Sequence, residues 1–441
     1  MSDIHITPEL MEAVNRGDLQ PHVVLELGWS HLLHLCPVCL AGFHVWQTAR
    51  SARPVSSASV FQALPAVLKR HAAEQKEKER QAERDLRDLL ALSHKKRLSK
   101  IHGAGRRFRG LLLAHRLLNE AKSQLPGQPQ ETHDLAEAAE QVLLRTPDSP
   151  GYFDALARAT AYRANALRAA GKVREADERM ATARSLIRHQ DVTATLVYAE
   201  VDLVEGSLRK DQRRFKEAED LLRRSAALFE LAGERSEAAR PLLVLGAMYH
   251  HRQETAKAIE TTETALVSIN PEREPRLYLC GRFNLALFLV ESGRYEVAAE
   301  LLVADELLYQ DFADGWTVLR KVWLVGKIAL AAGRLAEAAE AFLQVRSGFI
   351  DQGIGYDVAM VSLDLSLVYL RQARTAEVKA LAEEMHVVFA AEDVHREAVA
   401  ALVLFQEAAR REALTAELIE GMAVYLKRAR GNPEMRFTEE T

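Results

Sequence analysis

The chain has 441 residues, 48% hydrophobic and 27% charged, with a formal net charge of −4, a composition that excludes a disordered polymer and a uniformly basic nucleic-acid binder. No run approaches 18 uninterrupted apolar residues, and the first 20 residues lack a basic start followed by an apolar core, so a cytoplasmic protein with no membrane partner is expected. Three cysteines are too few for a disulfide framework.

Residues 1–60 read as a small helical head. Cys36 and Cys39 form C-P-V-C, preceded by His31 and His34. A CxxC pair can place both thiolates on one tetrahedral zinc, and upstream histidines suit the remaining positions. His31, His34, Cys36 and Cys39 are one candidate set, and His22, His5 or His44 could replace either histidine. A helix would direct His34 and Cys36 apart, since they are only two residues from each other. The segment resembles the zinc-binding helical domain of bacterial anti-sigma factors, whose signature is His, three residues, Cys, two residues, Cys. Here four residues separate His31 from Cys36. The resemblance implies a structural zinc on His31, Cys36 and Cys39, with the fourth ligand open, and a sigma factor as partner. A packed hairpin without metal and a redox-active dithiol are the other readings, the last without the βαβ context such dithiols keep.

Residues 61–107 follow as a charged helical linker. Its first half alternates Lys and Arg with Glu at helical spacing, which suits a solvent-exposed helix with i,i+4 pairing. Its second half gathers Lys95, Lys96, Arg97, Lys100, Arg106 and Arg107 without an acidic residue. Such density could contact phosphates, or form a solvated elbow between head and array; no aromatics are interleaved to stack exposed bases.

From residue 108 to 428 the chain repeats. After an irregular first unit, whose second helix has Ala138 in the marker position 38 residues before Ala176, a small side chain recurs at Ala164, Gly206, Gly246, Ala286, Gly326 and Ser366, in steps of 42 and then 40 residues. Twelve residues beyond each stands a second marker: Ala176, Ala218, Ala258, Ala298, Ala338 and Val378. Two phase-locked series mean one supersecondary unit copied along the chain. Within a copy, apolar residues return at helical spacing on both sides of a polar break, which predicts two amphipathic helices joined by a short turn. A glycine inside a helix costs about 1 kcal/mol relative to alanine, so its repeated use calls for close approach of the partner helix.

Gly246, Tyr249, Ala258 and Ala265 together resemble the tetratricopeptide repeat (TPR) pattern, and Ser366 with Tyr369 keeps its first half. The usual period is about 34; longer helices or turns would absorb the difference. The resemblance implies an all-α, right-handed helical-hairpin solenoid of about seven to eight hairpins, ending in a cap without markers. A frayed tail is expected over residues 429–441. Cys280, within an apolar repeat helix, reads as a buried thiol.

No phosphate-binding loop, dinucleotide fingerprint, HExxH or GxSxG motif is present, so no catalytic residue is assigned and the chain is expected not to be an enzyme. The first helices of TPR units line a concave face, and sequence phase nominates Arg163, Asn165, Arg282, Asn284 and Lys321 on it, with Trp316 at an inter-repeat loop. Such donors suit a carboxylate or peptide backbone. The expected function is a noncatalytic interaction adaptor or regulator that holds a protein or peptide partner on this face. The alternative is a transcription-linked regulator, binding a sigma factor through the head or nucleic acid through residues 94–109.

Overall fold

The computed structural model describes residues 57–391 apart from 106, 126–127, 150, 190–191, 193 and 354, together with 405, 409 and 415–429. His5, His22, His31, His34, Cys36, Cys39 and His44 all lie outside the described residues, as does Arg106. Among the described residues every regular element is a helix. The chain divides into two compact units, residues 1–117 and 118–441.

In the first unit, α1 (Ser57–Leu90) is followed by α2 (His94–Gly103). Arg97 is only 2% exposed. Its guanidinium donates to the carbonyls of Leu89 and Leu92 at 3.1 and 3.2 Å, placing a cation at the C-terminal end of α1 and the turn that follows it. Helix α3 (Leu111–Gln124) spans the division between the units.

The second unit is a stack of hairpins. After α4 (Pro129–Leu143), first and second helices alternate: α5 (Tyr152–Ala169) and α6 (Val173–His189), α7 (Thr195–Asp211) and α8 (Phe215–Leu231), α9 (Arg235–His251) and α10 (Thr255–Ser268). The next hairpin is α11 (Pro275–Glu291) with a second helix in two pieces, α12 (Tyr295–Ala304) and α13 (Glu306–Asp311). Then come α14 (Gly315–Ala331) with α15 (Leu335–Asp351), α16 (Gly355–Arg371) with α17 (Thr375–Ala391), and finally α18 (Ala416–Ala429). First helices begin at 195, 235, 275, 315 and 355. A 17-residue helix and a three-residue turn, used twice, give the period of 40; the added length over a standard TPR lies in the helices.

Each hairpin turn closes in the same way. In the turn after α7, Arg214 N–H donates to Arg209 O at 2.8 Å and Arg213 N–H to Lys210 O at 3.0 Å, the paired bonds of a Schellman cap. The residue in the left-handed region is Gly171, Gly293 or Gly333 in three hairpins, but Arg213, Gln253 and Ala373 in the others, at φ of 62°, 63° and 56°.

The small-residue seams are buried as the sequence phase requires. Ala164, Ala286 and Ser366 are at most 3% exposed, and Ala176, Ala218, Ala258, Ala298 and Ala338 are fully buried. A Cβ on Gly246 would stand 2.5 Å from Thr262 Oγ1 and 3.3 Å from Ala258 O, and one on Gly326 would stand 2.5 Å from the Phe342 ring. The two helices of a hairpin therefore approach backbone to side chain at these points, which offsets the helix-propensity cost of glycine.

Candidate partner-binding groove

Helical spacing places three further ladders on the first helices between about 100° and 200° around from the seam. They are Arg158, Glu200, Arg240, Cys280, Arg320, Met360; then Tyr162, Val204, Val244, Asn284, Leu324, Asp364; then Asn165, Ser207, Ala247, Leu287, Lys327, Leu367. Each keeps the steps of 42 and 40 that the seam markers show. Since the seam faces the second helix of the same hairpin, these ladders lie on the other side of the first helices, the inner side of a TPR-like stack, where Val204, Leu324, Met360 and Leu367 are themselves buried in the core.

At the N-terminal end of that face the charges neutralise one another. Arg158 holds the Glu200 carboxylate with both Nε and an Nη, and Tyr162 donates to the same carboxylate at 3.2 Å. Burial, then the Glu200 charge, pushes the Tyr162 phenol well above its ordinary range. Lys122 and Arg240 bind Glu237 at 2.7 and 2.9 Å. Near the helix ends Arg168 and Lys210 bind Asp211, each with one contact at 2.6 to 2.7 Å. Burial raises the Asp211 pKa, and the two cations outweigh it and hold the carboxyl at about 2.

The C-terminal end is paired as well. Asp364, 6% exposed, accepts from Trp323 Nε1 at 2.6 Å and from Lys327 at 2.9 Å. Between the two ends, on α9 and α11, Val244, Ala247, Asn284 and Leu287 are half-buried and Cys280 is exposed. The Asn284 amide has no hydrogen-bond partner among the described residues. An amide that both donates and accepts, set among apolar neighbours and still open to solvent, can bind the main chain of an extended segment.

The structure separates the residues that sequence phase had grouped. Asn284 and Asn165 fall on the inner ladders, Asn165 accepting from Arg168 Nε at 2.9 Å. Arg163 is 6% exposed and turned toward α4, where Glu140 and Glu137 bind it at 2.5 and 3.1 Å. Arg282 is held by both oxygens of Asp305, and Lys321 by Glu306 at 2.6 Å. Trp316 lies in the first turn of α14 rather than in a loop, half-buried and tilted on the Phe349 ring with centroids 5.6 Å apart. Cys280 corrects the expectation of a buried thiol: six residues before the seam position Ala286, it is exposed.

In the first unit two of the candidate phosphate contacts are engaged internally. Arg97 is buried as described, and Arg107 binds Asp85 and Asp88 at 2.6 and 2.5 Å while lying over the Phe108 ring. Lys95, Lys96 and Lys100 are exposed. Among the described residues no group of three or more His, Cys, Asp or Glu side chains is placed to hold a metal, and no helix is long and apolar enough to cross a membrane.

No protein-family model and no curated protein matches the sequence. Solved structures do resemble it in fold. The apo form of RapI is 14% identical at a TM-score of 0.51, with 71% of this chain and 86% of that one covered. A Rap protein complexed with competence and sporulation factor is 13% identical at a TM-score of 0.53, covering 73% of this chain and 99% of that one. A signal transduction ATPase with numerous domains and a tetratricopeptide repeat sensor, from Pyrococcus horikoshii, is 12% identical at a TM-score of 0.51, covering 97% of this chain and 66% of that one. With the hairpin stack described above, these likenesses establish an all-α, TPR-like right-handed solenoid.

Proposed function

We propose that the chain is a noncatalytic regulator or adaptor whose inner face, centred on Asn284, holds an extended segment of a peptide or protein partner. The observation that carries this reading is the Asn284 amide, half-buried and without a hydrogen-bond partner among the described residues, on the same ladders as the half-buried Val244, Ala247 and Leu287 and between ends closed by ion pairs. Burying that amide against apolar neighbours without a bond would cost about 1–3 kcal/mol, so a ligand that supplies main-chain donors and acceptors gains from it. The Rap protein of like fold was solved with competence and sporulation factor, which supports a ligand on an array of this kind.

Cys280 provides the test. A photocrosslinking residue at Leu287 should capture the partner in the native cytoplasm, and that partner should then protect Cys280 from maleimide, read at this site by mass spectrometry. Asn284→Ala should weaken its binding at least tenfold. A captured partner whose affinity is unchanged by Asn284→Ala, and which leaves Cys280 fully reactive, would remove the inner face as the binding site. A structural zinc on His31, Cys36 and Cys39 remains part of the proposal; one zinc per chain, lost in a Cys36→Ser, Cys39→Ser double variant, is its expected signature.

A further inference from the structure

One register position of the second helices runs Ala183, Ser225, Ala265, Asp305, Val345 and Met385. All six are core positions, none more than 8% exposed, and Asp305 is the only charged residue among them. The corresponding position of the first helices that faces it carries Leu242, Arg282 and Val322 in three successive units. Leu242 packs with the cluster that holds Ala265, and Val322 with the cluster that holds Val345. In the intervening hairpin Arg282 Nε donates instead to both oxygens of Asp305, at 3.0 and 2.8 Å.

At that residue the second helix is interrupted. Asp305 separates α12 from α13, with φ of −93° and ψ of 7°. In the hairpins on either side of the α11 unit the second helix is continuous, as α10 and as α15. The apolar core divides nearby: Leu324 and Ile328 of α14 belong with the residues of α8 to α12, whereas Leu319, Ala329 and Leu330 belong with those of α15 to α18. Polar contacts bind the joint, with Lys321 of α14 on Glu306 of α13 at 2.6 Å and Arg276 of α11 on Asp314 at 2.9 Å.

We propose that the broken second helix at Asp305 is a hinge of the solenoid, where the first and last hairpins of the array bend relative to each other. Ion pairs tolerate small changes of geometry that interdigitated side chains do not, because close-packed cores are not continuously deformable. Bending here changes the spacing between α11, which carries Asn284, and α14, which carries Leu324 and Lys327. The hinge would therefore set the width of the inner face at its centre, and it stands whether or not that face is where a partner binds.

The test restores the neighbours' residues. Asp305→Ala with Arg282→Leu gives this hairpin the apolar pair of the preceding one, and Asp305→Ala alone leaves Arg282 without its carboxylate. Hydrogen exchange in the full chain should show amides 303–308 opening at least tenfold faster than the register-equivalent amides 343–348, with the difference reduced to a few-fold in the double variant. Spin labels on unnatural amino acids at Glu263 and Ser347, exposed positions on α10 and α15, should give a broad distance distribution that narrows in the double variant. Equal protection of 303–308 and 343–348 in the unaltered chain, or a distance distribution of the same width in both proteins, would overturn the hinge. If the double variant does not fold, the comparison of amides and the label width in the unaltered chain still decide, a single narrow distance counting against it.

Discussion

Trp323 and Asp364 stand on successive first helices one residue out of register, and the indole Nε1–H donates to the carboxylate at 2.6 Å while Lys327 neutralises it from one turn further along. The pair fastens α14 to α16 on the inner side of the stack. Asp364→Ala leaves a half-buried ammonium and a half-buried indole without their acceptor, and should cost about 1–3 kcal/mol. Asp364→Asn keeps an acceptor for the indole and should cost about half as much. Urea unfolding with an unchanged slope is the check.

Gly326 packs against the Phe342 ring so closely that a methyl group cannot enter without moving it. Gly326→Ala should destabilise the array by about 1–3 kcal/mol despite the better helix propensity of alanine. A stabilised variant in thermal melts would show that the ring yields freely.

Ala373 occupies the left-handed turn position that Gly293 and Gly333 hold in two earlier hairpins. Ala373→Gly should raise stability by about 1 kcal/mol, the order of the steric cost of that conformation for an L-residue. The reverse change, Gly333→Ala, should lower it by about the same amount. Paired melts of the two variants measure the asymmetry.

Asp211 titrates at about 2 in the folded chain, against an ordinary carboxyl value of 3.8. A folded-state pKa below the unfolded one contributes stability above about pH 4 that is lost as the pH falls toward 2. The contribution is about 2 kcal/mol at neutral pH. Asp211→Asn should remove this part of the acid dependence, so its stability and that of the parent should converge as the pH approaches 2.

The period, the seams and the hairpin turns were legible because each is a one-dimensional feature. A glycine such as Gly246 announces a close approach, and its recurrence gives the phase. Which way the rest of each first helix faces was harder to read. Arg163, Arg282 and Lys321 look available in sequence because their acceptors stand in other helices: Glu140 on α4, Asp305 at the break and Glu306 on α13. Cys280 misled for the opposite reason. Its apolar surroundings suggest a core position, yet Gly281 beside it is buried while the thiol turns outward. Asn284 was nominated as a polar residue near a seam, and only its lack of a partner sets it apart from Asn165.

The uniform three-residue hairpin closures have an evolutionary consequence. Because successive first helices start at intervals of 40 and the closures keep one backbone form, a cassette of that size can be duplicated or lost with its flanking geometry preserved. The length of the stack is then open to change by recombination in whole-unit steps, whereas the interrupted copy around Asp305 differs from its siblings and would have to be carried along intact.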